Sequence, residues 1–313
     1  MKHLDELYRH RIEQARQRAL PVAHRKTFVN AVVKVFLRSA LLPWCHLTRE
    51  TRATISALHA QGTYRLQLEG LDEIAACDVY FGNHQGPSIP GGPQGGMEVL
   101  FSTQFVPDST RYVLRQTLID YCWPPTQCIK ARAMRKPNPI TVRGQDRLRK
   151  LRGKASWADI KQAAVGLKKE RQRVASEIFR AVDAGTPVMI YPEGTRSVTG
   201  AILPFVSDFM RQTITDYIAP RTQSHRPRRI GLIVAETLQT FPDGAGRDTF
   251  LCDRPVTMRG LLYDTSPIEK QYEQISHLRG EAYDIALTRL ARTLALDMRG
   301  TFARELCDIL ADD

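Results

Sequence analysis

The amino-acid sequence predicts an α/β fold: a mixed sheet flanked by helices, with N-terminal helices before it and a helical C-terminal tail after it. Short β-type runs alternate with helical stretches from residue 62 onward. Residues 26–42 and 157–183 carry helical periodicity, and a helix-start signal stands at Ser266. With 313 residues, 42% of them apolar, the chain can bury a sizeable core.

Residues 3–20 read as a charged helix stopped by Pro21, and residues 26–42 as a second helix stopped by Pro43. In the second, Lys26, Asn30, Lys34 and Arg38 recur every four residues as a narrow polar stripe. Phe28, Val29, Val32, Val33, Val35, Phe36, Leu37, Leu41 and Leu42 cover the rest. A helix of this kind either packs on the domain that follows or lies in a membrane interface, with Trp44 near headgroup depth. The strands are expected at Tyr64–Leu68, Val79–Gly82, Tyr112–Leu114, Gln127–Ala131, Pro187–Tyr191, Ile230–Ala235 and Thr249–Val256. Residues 157–183 form one long basic helix. Ser266-Pro267-Ile268-Glu269 gives a capping box with proline at the first helical position. The chain thus divides into an N-terminal helical segment, 1–60, and an α/β domain with C-terminal helices, 61–313.

The formal charge of +12 implies a surface that attracts phosphates, whether of nucleic acid, acidic lipid or a small substrate. Residues 130–173 are the most basic stretch, yet zinc-finger spacing and an aromatic RNP-type segment are both missing, so nucleic acid is not the expected partner. Six scattered cysteines without a Cys-x-x-Cys pair suggest neither a disulfide framework nor a metal site, and fit a reducing setting. The start of the chain lacks the apolar core of a secretion signal, and no run approaches the ~18 apolar residues of a spanning helix.

Two strings stand where a predicted strand gives way to a loop, the usual ligand position in open α/β sheets. They are Phe81-Gly82-Asn83-His84-Gln85 and Val188-Met189-Ile190-Tyr191-Pro192-Glu193-Gly194-Thr195-Arg196-Ser197. Together they resemble the glycerolipid acyltransferase family, whose signatures are Asn-His-x-x-x-x-Asp and Phe-Pro-Glu-Gly-Thr-Arg-Ser. The second string departs from its signature only at Tyr191. The resemblance covers about residues 60–260. It implies transfer of a fatty acyl group from acyl-CoA or acyl carrier protein to a glycerol-phosphate or lysophospholipid hydroxyl, with no tightly bound cofactor and no metal. It further implies a place at the cytoplasmic face of a membrane, peripheral or monotopic, against anionic lipid.

The chemistry accounts for these residue types independently. Acyl transfer from a thioester to an alcohol needs a base near the hydroxyl, which His84 can supply. An anionic acceptor needs a fixed cation and backbone donors, which Gly194, Thr195 and Arg196 can supply, the last through its guanidinium fork. Glu193 can hydrogen-bond an acceptor hydroxyl or hold Arg196. By resemblance, the family's phosphate-binding arginine at the end of an apolar strand falls on Arg132. Its Val-Pro strand falls on Ile230–Ala235, without the proline. The departure that matters is Ile89, which stands where the family has the aspartate that orients its histidine. Three readings follow. Glu98, beyond the Gly/Pro-rich 86–96 segment at the mouth of the site, takes the aspartate's place; or His84 works weakly without a carboxylate partner; or the chain is a catalytically impaired homologue that has lost acyl transfer and binds lipid or phosphate.

Overall fold

The structure, a computed structural model, describes residues 6–7, 22–42, 45–63, 65–84, 101–115, 129, 132–135, 138–143, 156–194, 202–219, 229–236 and 255–311. Among the described residues seven strands form one mixed sheet: β1 (Arg65–Glu69), β2 (Val79–Gly82), β3 (Arg111–Arg115), β4 (Ile140–Val142), β5 (Val188–Ile190), β6 (Ile230–Glu236) and β7 (Pro255–Tyr263). Their spatial order is β1-β7-β6-β2-β5-β3-β4. All neighbours are parallel except β6 and β7, which pair antiparallel from Ile230↔Tyr263 to Glu236↔Thr257. β2 is central, with β6 on one side and β5 on the other.

Buried on both faces, the central strands read as continuous apolar runs, and their alternation sorts side chains between two layers. Val79, Phe81, Val188, Ile190, Ile230 and Leu232 face one layer. This layer contains α4 (Trp157–Asp183), α5 (Ser207–Gln212), which runs into a π-helical turn at Thr213–Ile218, α6 (Ser266–Ile275) and α7 (Gly280–Ala311). Tyr80, Met189, Ile233, Val256 and Met258 face the other, with α1 (Val22–Leu41), α2 (Leu47–Ala60), the short α3 (Leu71–Ile74) and residues 101–106.

Phe28, Val32, Phe36 and Ala40 of α1 are buried in that second layer, while Asn30, Lys34 and Arg38 are exposed. The helix therefore turns its apolar face to the domain and its polar stripe outward. Arg52 of α2 pins the segment after β2: its guanidinium donates to the carbonyls of Thr103, at 2.7 Å, and Val106, and pairs with Asp108 at 2.9 Å.

Several sequence expectations shift. Gln127–Ala131 is not a strand at Ile129, which is helical, and residues 132–135 form a further helical turn with Arg132 exposed on it. Five residues with only Cys128, Ile129 and Ala131 apolar carry no period that separates strand from helix, so their pattern alone misleads. The last strand begins at Pro255 and runs to Tyr263, sharing two residues with the expected Thr249–Val256. The C-terminal cap sits one residue earlier: Thr265 is the N-cap of α6, its hydroxyl donates to Glu269, and Asp264 accepts the Ser266 amide at 2.9 Å. α1 begins at Val22 rather than residue 26. Strand β4, unexpected from the sequence, extends the sheet edge beside β3. The charged helix expected at 3–20 lies outside the described residues except for Glu6 and Leu7, which are helical.

Candidate active site

The site is built where β2, β5 and β6 end. Asn83, 1% exposed, leaves β2 and locks to β6 through both ends of its amide: its Nδ2 donates to the Ala235 carbonyl at 2.9 Å, and its Oδ1 accepts from the Ala235 amide at 2.8 Å. Two bonds at right distance and full burial fix the strand end in place. The next residue, His84, is half-buried at the sheet's rim.

On the neighbouring strand, the chain turns sharply after β5. Gly194 donates its amide to the Tyr191 carbonyl at 3.0 Å, closing the turn, and has φ of +66°, a conformation that disfavours any residue with a Cβ. The Val206 amide returns to the Pro192 carbonyl at 3.0 Å, so the segment leading to α5 braces the turn. Glu193, buried inside it, joins three chain segments: one carboxylate oxygen accepts the His84 amide at 3.1 Å and the other the Leu203 amide at 3.1 Å. The two strings read from the sequence, more than a hundred residues apart, are thereby in direct contact.

The His84 imidazole lies against the ring of Tyr191, with centroids 4.8 Å apart and planes at 33°. The Tyr191 hydroxyl reaches the buried Ser102 hydroxyl at 3.3 Å. Gly82 makes room for this arrangement, because a Cβ there would come within 2.5 Å of the Met189 methyl and 2.9 Å of the Tyr191 ring. Ser102 gave no signal in the sequence; only the tertiary contact reveals it.

Among the predicted site residues, His84, Glu193 and Gly194 are brought together. Arg132 is described but exposed on a helical turn. Glu98, Thr195, Arg196 and the position of Ile89 lie outside the described residues. The described residues contain no group of three or more potential metal ligands. A cavity of about 580 Å³ lined by Arg111, Asn138, Glu177, Arg180 and Thr186 lies at the opposite, amino-terminal ends of β3, β4 and β5, away from His84. No described helix is long and apolar enough to cross a membrane.

Comparison with known proteins adds one assignment by sequence. Residues 129–221, which include β5, the Tyr191–Gly194 turn and α5, match the family model for acyltransferases. Among solved structures, the chain is similar to the 1-acyl-sn-glycerophosphate acyltransferase PlsC of Thermotoga maritima, with 14% identity and a TM-score of 0.48. That similarity covers 92% of this chain and 99% of the other. The search of curated proteins found no match.

Proposed function

We propose that this chain, whose residues 129–221 carry the acyltransferase family segment, transfers a fatty acyl group from an acyl thioester to the hydroxyl of a glycerol phosphate or lysophospholipid. The observation that carries the reading is the bond between the His84 amide and the Glu193 carboxylate, which joins the histidine string to the Pro-Glu-Gly turn. In the reaction, the His84 imidazole takes the proton of the acceptor hydroxyl as its oxygen attacks the thioester carbonyl. Collapse of the tetrahedral intermediate breaks the carbon–sulfur bond, and the imidazolium returns the proton to the departing thiolate. Glu193 serves this site by holding the His84 main chain. Thr195 and Arg196, immediately after the turn, would bind the acceptor phosphate. The donor is acyl-CoA or acyl carrier protein, and the acceptor is met at an anionic membrane surface to which a protein of charge +12 is drawn.

The test is turnover of labelled acyl-CoA and acyl carrier protein by the purified chain against glycerol-3-phosphate and lysophospholipids. Wild-type protein should form the acylated product, and His84→Ala should cut turnover by about 10²–10⁴-fold. A His84→Ala variant as active as wild type would overturn the assignment of the base. The Ile89 substitution favours a second reading, binding without chemistry. Its signature is acceptor binding by calorimetry from a protein that turns over no donor.

A further inference from the structure

Resting on the assignment of His84 as base, we propose that Tyr191 is a positioning residue that sets the plane of the His84 imidazole, with Ser102 anchoring it. Three observations converge. Tyr191 follows Ile190, which is registered against Phe81, so the next step along the parallel pair sets Tyr191 beside Gly82. Gly82 ends β2 two positions before His84, and the space it leaves admits the tyrosine ring, whose centroid lies 4.8 Å from that of the imidazole. The hydroxyl at the far end of that ring meets Ser102 at 3.3 Å, on the segment that Arg52 pins to α2. Tyr191 is thus held at both ends.

The tilted approach, 33° between planes, gives the ring two effects on the base. It blocks rotation of the imidazole toward the sheet. It also presents the negative face of an aromatic ring to the imidazolium that forms as the proton is taken, an attraction of the cation–π kind. In a chain with Ile89 at the motif aspartate's position, this contact supplies orientation from an uncharged side chain.

Two measurements on the full-length protein test the proposal separately from the acyl-transfer reading. In protein labelled with ¹³C-histidine, the His84 ring resonances are identified by their loss in His84→Gln. Tyr191→Leu should displace them by removing the ring current, while Tyr191→Phe should leave them close to wild type. In turnover assays, Tyr191→Leu should lower kcat by about tenfold with KM within about twofold, the pattern of a group that acts only in the transition state. Tyr191→Phe and Ser102→Ala, which keep the ring and break the same hydrogen bond, should both fall between Tyr191→Leu and wild type. Unchanged His84 resonances in Tyr191→Leu would overturn the proposal. So would displaced resonances with an unchanged kcat. A wild type inert toward every donor would sink the acyl-transfer reading alone, and the resonances would still decide whether Tyr191 fixes the ring. Should Tyr191→Leu fail to fold by circular dichroism, the comparison of Tyr191→Phe with Ser102→Ala carries the test, and equal kcat in both and in wild type would remove Ser102 as the anchor.

Discussion

Asn83 does for the strand end what a backbone ladder does within a sheet. Its amide presents a donor and an acceptor in the geometry of a peptide group, and Ala235 supplies the complementary pair. Asn83→Ala would leave the Ala235 amide and carbonyl buried without these bonds. Each such loss costs about 1–3 kcal/mol, so the variant should lose about 2–6 kcal/mol in urea unfolding at constant m-value. Asn83→Asp should be no better, because it surrenders the donor and brings a charge into a site 1% exposed. The residue next to His84 is therefore a structural necessity, its side chain committed to β6. Glu193 carries the same lesson. Sequence reasoning cast it toward acceptor or arginine, whereas its two oxygens also carry the chain's own amides.

At the scale of elements, legibility follows from how local the determining forces are. β2 and α4 appear in the sequence at their observed limits because a short apolar run bounded by turns, and a periodic stretch between Ser156 and Gly185, are local signals. β4 was hidden because three residues, Ile140–Val142, set among prolines and basic residues, acquire strand geometry only from pairing with β3. β7 was displaced in the reading because Arg259 lies inside it. Its charge is answered only in three dimensions, by Glu69 of β1 at 2.7 Å and Glu305 of α7 at 2.8 Å.

Among the described residues β4 is the last strand of the sheet, and α4 covers part of its outer side with side chains. Arg173 donates to the Thr141 carbonyl at 2.6 Å, and Glu170 accepts the Arg143 amide at 2.9 Å while pairing with Arg173 at 2.8 Å. The hydrogen bond from Arg173, aided by the Arg143 amide and opposed by burial, holds the Glu170 carboxyl below the usual range. A lowered folded value means that its contribution is complete above the ordinary glutamate value, about 4.3, and is lost as pH falls through the folded value. Glu170→Gln should thus cost about 0.5–1 kcal/mol at pH 7, and the gap to wild type should close on acidification below pH of about 4. Denaturation curves at several pH values check this. A gap that persists at low pH would assign the effect to packing.

For the whole molecule, the packing of α1 changes where a lipid surface would be met. Its Phe28, Val32 and Phe36 are committed to the core, so the proposed attraction to anionic lipid would fall on exposed cations. The amino-terminal half of α4 is the clearest carrier. None of the side chains described between Ala158 and Arg173 is buried, and Lys161, Lys168, Lys169 and the half-exposed Val165 point to solvent. At roughly 1 kcal/mol per basic residue near anionic lipid, replacing Lys161, Lys168 and Lys169 with Glu should weaken binding to phosphatidylserine vesicles by about 10²-fold in flotation at low salt. Wild-type binding should fall as salt rises. Equal flotation of the triple variant would place the contact elsewhere.

The bond between Asn83 and Ala235 spans 152 positions, and that span is also an interval of time. At roughly 5–20 residues per second of translation, the histidine string is synthesised about 8–30 seconds before the strand that secures it. β5 and its Glu193 also follow it by more than a hundred residues, so both flanks of β2 are made late. A nascent chain carries His84 without the neighbours that would hold it, and the arrangement around it arises only as the last third of the protein emerges. Any chaperone or lipid surface that meets the growing chain before then meets an apolar strand still waiting for both of its neighbours.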